Sequence, residues 1–185
     1  MQNKIDNALN EIKQCLDGTE PYLKAASNII CQFKDKKIVC IGAGRMGYSL
    51  RAFAMRLSHI GFKNVTFIGD TTVPYTGDDS LVIFSSSSGK TKTNILYAQI
   101  LDDLQSAEFG KGGRPVKMLF TYDTESPLAK LCDYTFKYNK TKSSQPMKTI
   151  YEQATYILFD ALAQAIMEDL GLEDADIRDN HSILE

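Results

Sequence analysis

The sequence lacks the marks of several classes of protein. Its 21 basic and 23 acidic side chains give a net charge of −2, without the basic excess of a general nucleic-acid binder. No segment has the apolar length of a membrane span, and residues 1–14 contain no apolar core such as a signal peptide needs. These absences predict a cytoplasmic protein without nucleic-acid or membrane partners, yet they allow a local positive pocket for a small anion.

The cysteines also lack the spacing of a functional cluster. Cys15, Cys31, Cys40 and Cys132 form no C-x-x-C pair, and the last two lie in the apolar runs IVCIG and LAKLCDY. Buried free thiols are therefore favoured over a metal or redox centre, and a reducing compartment suits them.

The sequence does contain short apolar runs that alternate with helical patterns. Five such runs between residues 37 and 138 predict an α/β fold with a doubly wound, five-stranded parallel sheet in a flavodoxin-like, three-layer arrangement. Residues 1–185 are expected to form one domain, with a helical arm at about 1–33 and a long helix plus tail at about 147–185. Residues 108–115 are expected to form an exposed loop.

The helical arm carries an apolar stripe. Ile5, Leu9, Ile12 and Leu16 recur at helical spacing, with a break between two helices at residues 17–18. The stripe needs a partner surface, which another subunit could supply.

The first predicted strand leads into a glycine turn, residues 42–47. Gly42, Gly44 and Gly47 have the spacing G-x-G-x-x-G, and Asp70 ends the next strand, where a ribose-binding acid would lie. On this motif alone, an NAD-dependent oxidoreductase is one hypothesis. A tight turn between strand and helix explains the glycines equally, as does a turn whose amides and Arg45 receive part of a smaller ligand.

The third predicted strand leads into a serine turn, residues 85–91. Its Gly-Lys-Thr ending resembles that of a P-loop, but Phe84 occupies the position where a P-loop requires glycine. A nucleotide-binding loop is therefore excluded.

The hydroxyl groups of the serine turn favour an anion. Ser86, Ser88 and Thr91 surround the start of a helix, whose unpaired amides attract negative charge, and Lys90 can add a full positive charge. Helix capping needs one hydroxyl, whereas residues 85–91 carry five. Phosphate binding is therefore favoured over capping alone.

These turns, with the runs around them, resemble the sugar isomerase (SIS) domain family, most closely its 6-phospho-3-hexuloisomerases. The matching runs, in the family's order, are GAGRMGYSLRAFAMRLSHIGF, GDTTVP, SLVIFSSSSGKT, SPLAKLCDYTF, QPMKTIYEQATYILFDAL and HSILE. Together they span nearly the whole chain, and the combination of AFAMRL with the serine turn makes the resemblance specific.

The resemblance implies a phosphosugar isomerase that interconverts 3-hexulose 6-phosphate and fructose 6-phosphate without a metal or other cofactor. It also implies a homo-oligomer, a dimer or tetramer, with sites at subunit contacts. The substrate-binding positions that it implies are Gly44, Arg45, Ser86, Ser87, Ser88, Gly89, Lys90 and Thr91. Glu152 takes the place of the family's general base, and His181 that of a histidine near the end.

Several positions depart from the family pattern. Met46 replaces a serine, Ser87 a glycine and Lys90 a glutamate, while Asn180 and Ile183 replace an arginine and an asparagine. These changes leave the phosphate turn intact and the identity of the sugar open. They also allow a regulatory SIS protein that binds a sugar phosphate without turning it over.

Three further residues have two interpretations each. Glu152 is the only acid in the first turns of an apolar helix, which suits a proton-shuttling base or a helix-dipole partner. His181, in a polar tail, can relay protons or remain idle, and His59 is expected to stabilise or pack at the end of its helix. The family match favours catalysis by Glu152, because a purely regulatory protein needs no acid there.

Overall fold

Five parallel strands form the centre of the molecule. They are β1 (Lys37–Gly42), β2 (Asn64–Phe67), β3 (Ser80–Ser85), β4 (Val116–Thr121) and β5 (Tyr134–Lys137). Their spatial order is β2-β1-β3-β4-β5, which confirms the predicted flavodoxin-like sheet. All six residues of the central strand β3 are buried, because elements pack on both of its faces.

The computed structural model describes residues 3–103 and 113–181, and in these the helices surround the sheet. They are α1 (Lys4–Leu16), α2 (Glu20–Cys31), α3 (Gly44–His59), α4 (Lys92–Asp103), α5 (Ile150–Leu170) and α6 (Asp174–Ile177). None of them is both long and apolar enough to cross a membrane.

The two faces of the sheet carry separate cores. Ile38 and Cys40 of β1 face the larger core, beneath α1, α2, α3 and α5, whereas Val39 and Ile41 face a smaller one beneath α4. This alternation is that of a strand buried on both sides. Because α5 lies in the middle of the larger core, its first turn is held firmly at one edge of the sheet.

The apolar stripe of α1 is only partly covered. Ile12 is buried and Leu16 packs against the larger core, whereas Ile5 and Leu9 remain exposed. The chain's own core therefore supplies the partner surface for half of the stripe.

One helical prediction needs correction. The long helix begins at Ile150 rather than near Met147, because Met147 and Lys148 adopt the left-handed conformation, with φ of 54° and 61°. Between β4 and β5 the chain forms a single 3-10 turn, Ala129–Leu131. Most of the loop predicted at 108–115 lies outside the described residues.

The cysteines are free thiols. Cys15 and Cys40 are buried, as predicted, while Cys31 and Cys132 are half-buried. Burial raises the pKa of the Cys15 thiol to about 11 and that of Cys40 to about 12, so both stay protonated at neutral pH.

Candidate functional site

The glycine turn and the serine turn lie side by side at the carboxyl edge of the sheet. Gly42 and Ser85, which end β1 and β3, are register partners in neighbouring strands. The two turns lead into α3 and α4, so two helix starts meet at this edge. Doubly wound sheets bind ligands at this edge.

The end of β4 holds the serine turn in place. The Ser86 amide donates to the Phe120 carbonyl at 3.1 Å, and the Tyr122 amide donates to the Ser87 carbonyl at 3.1 Å. The Thr121 hydroxyl donates to the same Ser87 oxygen at 2.9 Å. With its backbone fixed in this way, the turn is preorganised for a ligand.

Gly89 gives the serine turn its sharp bend. Its φ is 60°, and a Cβ at this position would lie 1.9 Å from Ser126 Oγ and 2.5 Å from Ser126 Cβ. Both the left-handed backbone and the lack of space therefore require glycine.

Two of the three predicted hydroxyls converge at the start of α4. Ser86 Oγ lies 3.3 Å from Thr91 Oγ1, whereas Ser88 Oγ accepts from the Lys90 amide at 3.4 Å. In the described part of the chain, the amides of Thr91 and Lys92 donate to no acceptor. The arrangement presents donors to an anion, as a free helix start does.

Lys90 stands beside this group with an acidic partner. Its Nζ lies 3.2 Å from Asp123 Oδ2, and its side chain is exposed. The Lys90 charge, which was predicted to attract the ligand, is therefore partly neutralised by the Asp123 carboxylate in the loop after β4.

The predicted base and the predicted arginine form an ion pair. Arg45, the second residue of α3, places its Nε 2.6 Å from Oε2 of Glu152 in the first turn of α5. Ser49 Oγ donates to the Glu152 carbonyl at 3.0 Å, which fixes α5 against α3. The Glu152 side chain is 19% exposed, so the pair is partly shielded from water.

An open cleft of about 430 Å³ surrounds this ion pair. It is lined by Arg45, Tyr48, Ser49, Glu152, Gln153 and Tyr156. Gln153 Oε1 is buried and has no hydrogen-bond partner among the described residues, so it is an acceptor that a ligand hydroxyl can satisfy. Sequence reasoning missed four lining residues, although helical spacing from Arg45 and Glu152 could have indicated three of them, Tyr48, Ser49 and Tyr156. The fourth is Gln153.

Two glycines of the glycine turn serve close packing, and the acid expected to bind a ribose is already paired. A Cβ on Gly47 would lie 2.6 Å from the Gly42 carbonyl oxygen, so strand and helix approach too closely for any side chain. The proposed ribose-binding Asp70 accepts from Arg51 Nη1 at 2.9 Å and from the Phe67 amide at 3.0 Å. These bonds lower the pKa of Asp70, and the bond from Arg51 has the largest influence. Asp70 is therefore already paired with a side chain of α3 and with the backbone at the end of β2.

Two residues of the glycine turn differ in their surroundings. Gly44 begins α3 with a φ of 57° and open space around the position of a Cβ, which leaves room for a ligand. Met46 faces the core instead, with its sulfur 3.5 Å from Thr155 Oγ1. The family's serine is therefore replaced here by a buried packing residue.

His181 lies away from this edge within one chain. Its ring packs 4.9 Å from that of His59, the last residue of α3, and Asn180 Nδ2 donates to the His59 carbonyl at 3.0 Å. Arg45 lies at the other end of the same helix, about 21 Å away at 1.5 Å per residue. The packing predicted for His59 is confirmed, and within one chain His181 lies at the opposite end of α3 from Arg45.

Residues 33–165 match the SIS domain. The chain belongs to the SIS domain family. A 3-hexulose-6-phosphate isomerase of Methanocaldococcus jannaschii is 32% identical over 178 residues, covering 96% of this chain and 93% of the relative. The enzyme of that name from Bacillus subtilis is 30% identical over 158 residues, covering 80% of each chain.

A solved SIS structure shares the whole architecture. It is a hypothetical protein from Methanococcus jannaschii, for which the function of 3-hexulose-6-phosphate isomerase was inferred. It is 31% identical, with a TM-score of 0.78, and the match covers 98% of this chain and 99% of that one. The glycine turn falls within the family match, so its G-x-G-x-x-G spacing is accounted for without a dinucleotide. No cluster of three or more His, Cys, Asp or Glu side chains suited to a metal occurs in residues 3–103 and 113–181.

Proposed function

We propose that the protein is a phosphosugar isomerase that interconverts 3-hexulose 6-phosphate and fructose 6-phosphate. The observation that carries the proposal is the Arg45–Glu152 ion pair, which lies at the same edge of the sheet as the hydrogen-bond donors of the serine turn. Relatives named for this activity, with about one third of their residues identical, support the choice of substrate.

The serine turn holds the phosphate in this proposal. The terminal oxygens of the phosphate accept hydrogen bonds from the hydroxyls of Ser86 and Thr91 and from the free amides at the start of α4. Charge-assisted bonds of this kind are stronger than neutral ones, so the phosphate fixes one end of the sugar. The carbon chain then extends toward the glycine turn, which begins one strand away.

Glu152 moves the proton. Its carboxylate takes the proton from C2 of the 3-hexulose, and the C3 carbonyl becomes part of an enediolate. Glu152 then delivers a proton to C3, after exchange of its carboxyl proton with solvent in the open cleft, while the hydroxyl proton on O2 passes to O3, which leaves the carbonyl at C2. Arg45, next to the carboxylate, stabilises the negative charge that develops on the enediolate oxygens.

Replacing the base tests this mechanism. Glu152→Gln keeps the shape of the side chain and removes the carboxylate, so kcat should fall by about 10²–10⁴-fold, with binding of fructose 6-phosphate retained. The matched control is Glu168→Gln, an exposed position near the far end of α5, which should leave kcat unchanged.

Two outcomes of a coupled isomerase assay would contradict the proposal. Full turnover by Glu152→Gln would remove the base assignment. A wild-type protein that binds fructose 6-phosphate in calorimetry without converting it would instead be a regulatory sugar-phosphate binder.

We also propose that a second copy of the chain closes the cleft. Tyr48 is 75% exposed at its mouth, and exposed Met55, Tyr156 and Ile157 extend the apolar surface along α3 and α5. Such a patch is typical of an interface, and a partner could bring its own His181 to the site. Tyr48→Glu should shift the mass measured by light scattering to that of the monomer; an unchanged mass would exclude this face as the interface.

A cytoplasmic location is the last part of this proposal. Its support is the free state of the four cysteines, which suits a reducing compartment.

A further inference from the structure

A second cavity lies under the strap, residues 139–149, which joins β5 to α5. This strap cavity has a volume of about 200 Å³ and is lined by Tyr122, Lys140, Thr141, Ser143, Gln145, Lys148, Ile150 and Tyr151. None of these residues lines the cleft around Glu152. The Tyr122 amide donates to the Ser87 carbonyl, so the cavity adjoins the serine turn without being part of it.

Two lysines make the strap cavity positive. Neither Lys140 nor Lys148 forms a salt bridge with any residue that the structure describes. Lys140 Nζ lies 5.7 Å from the centre of the Tyr122 ring, and no acidic residue belongs to the lining. In a chain of net charge −2, two lysines without a salt bridge among the described residues thus border one small cavity.

The backbone is strained where it carries one of these lysines. In the described residues, Met147 and Lys148 are the non-glycine residues with positive φ, at 54° and 61°. Such conformations are unfavourable for side chains and concentrate where a ligand is held. Met147 is 94% exposed and points away from the cavity lining, whereas Lys148, which is also exposed, borders the cavity.

Glu11 of α1 holds the strap in place through hydrogen bonds. The Glu11 carboxylate accepts from Ser143 Oγ at 2.6 Å, from the Ser144 amide at 2.9 Å and from Gln145 Nε2 at 3.1 Å. These bonds, with Ser143 the strongest influence, lower the pKa of Glu11 to about 2. Strap donors thus satisfy Glu11, which leaves the lysines for another anion.

We propose that the strap cavity is a second anion-binding site, in which Lys140 and Lys148 hold a phosphate-type oxyanion. The lysines supply the charge, while Ser143 and Gln145, which also line the cavity, donate to Glu11 and so fix the strap that carries Lys148. The oxyanion comes either from a second ester group on a sugar bisphosphate or from a free anion. The site is independent of the isomerase reaction proposed above.

Calorimetric titration with orthophosphate tests this site. The wild type should bind two phosphates per chain, one at the serine turn and one in the strap cavity. In Lys148→Gly, the phosphate at the serine turn should bind with the wild-type affinity. The phosphate in the strap cavity should bind at least tenfold more weakly, because the ammonium group is lost. If the serine turn did not bind phosphate, the wild type would bind one phosphate per chain and Lys148→Gly would bind none. The stoichiometry therefore distinguishes a failure of the serine-turn site from a failure of the strap-cavity site.

The strained backbone provides a matched control. Glycine at either strained position relieves the left-handed conformation, so Lys148→Gly and Met147→Gly should both raise Tm, by about 2 °C. Only Lys148→Gly should lose phosphate. A variant that becomes more stable while it binds less cannot be explained by misfolding. Equal phosphate binding by Lys148→Gly and the wild type would overturn the proposal.

Two sugar esters distinguish the sources of the oxyanion. If the second group belongs to the same ligand, fructose 1,6-bisphosphate should bind at least tenfold more tightly than fructose 6-phosphate, and Lys148→Gly should abolish this difference. If the anion is free, the two esters should bind equally, while orthophosphate binding still depends on Lys148. Identical affinities of the wild type and Lys148→Gly for all three probes would again overturn the site.

Discussion

The glycine turn and the serine turn occupy equivalent places, yet their glycines do different work. Each turn follows a central strand and opens a helix at the carboxyl edge of the sheet. In the glycine turn, Gly42 and Gly47 allow strand and helix backbones to touch. In the serine turn, Gly89 bends the chain so that the hydroxyls of Ser86 and Thr91 meet at the start of α4.

The difference shows why a glycine motif alone is a weak guide to a ligand. G-x-G-x-x-G describes a close approach of strand and helix, which either a dinucleotide or plain packing can require. The donors around the turn decide between them. Ser86 and Thr91 supply such donors, whereas the glycine turn contributes Arg45, which already has Glu152 as its partner.

The largest effect should come from Gly89→Ala. The new methyl group would overlap Ser126 and force an alanine into the left-handed region, so phosphate affinity should fall more than tenfold and the protein should lose stability. Calorimetry and thermal unfolding measure the two effects. Adding Ser126→Gly removes the overlap and should restore part of the stability; no recovery would show that the predicted contact is not the cause.

Gly47→Ala should have an intermediate effect of a different kind. Its Cβ would press on the Gly42 carbonyl, which should cost about 1–3 kcal/mol of unfolding free energy. Phosphate affinity should stay within a few-fold of the wild type, because the serine turn is untouched. Urea unfolding gives the free energy, and a loss of phosphate binding as large as that of Gly89→Ala would remove the contrast between the turns.

Lys90→Glu should have the smallest effect. Lys90 is exposed and paired with Asp123, and exposed pairs contribute only about 0–1 kcal/mol. The reversed charge should therefore weaken fructose 6-phosphate binding by a few-fold at low salt, and less at high salt. Lys63→Glu, an exposed position before β2, makes the same change in net charge and should have no effect. Equal affinities of the two variants would show that Lys90 does not act on the ligand.

The sequence was sufficient for the sheet and for the two turns. Strand order follows from alternating apolar runs and right-handed crossovers, and the hydroxyl cluster of the serine turn is contiguous in the chain. Features that depend on contacts between residues far apart in the sequence could not be predicted. Arg45 and Glu152 are 107 positions apart, so no spacing rule joins them.

Two further features could not be derived from the sequence, for physical reasons. The left-handed pair Met147–Lys148 delays the start of α5, and nothing in a Met-Lys dipeptide predicts a conformation that favours glycine. His181 lies against His59, because the chain after α5 returns to the far end of α3. Its proposed role therefore depends on a partner subunit, which one chain's sequence pattern does not describe.

The most direct test follows fructose 6-phosphate by proton NMR while the protein acts on it in D₂O. An enediol between C2 and C3, formed by Glu152, predicts that deuterium replaces the hydrogen on C3 while both hydrogens on C1 remain. The same experiment with Glu152→Gln should show no exchange. Deuterium at C1 instead of C3, or wild-type exchange at C3 by the Glu152→Gln variant, would contradict the proposed reaction.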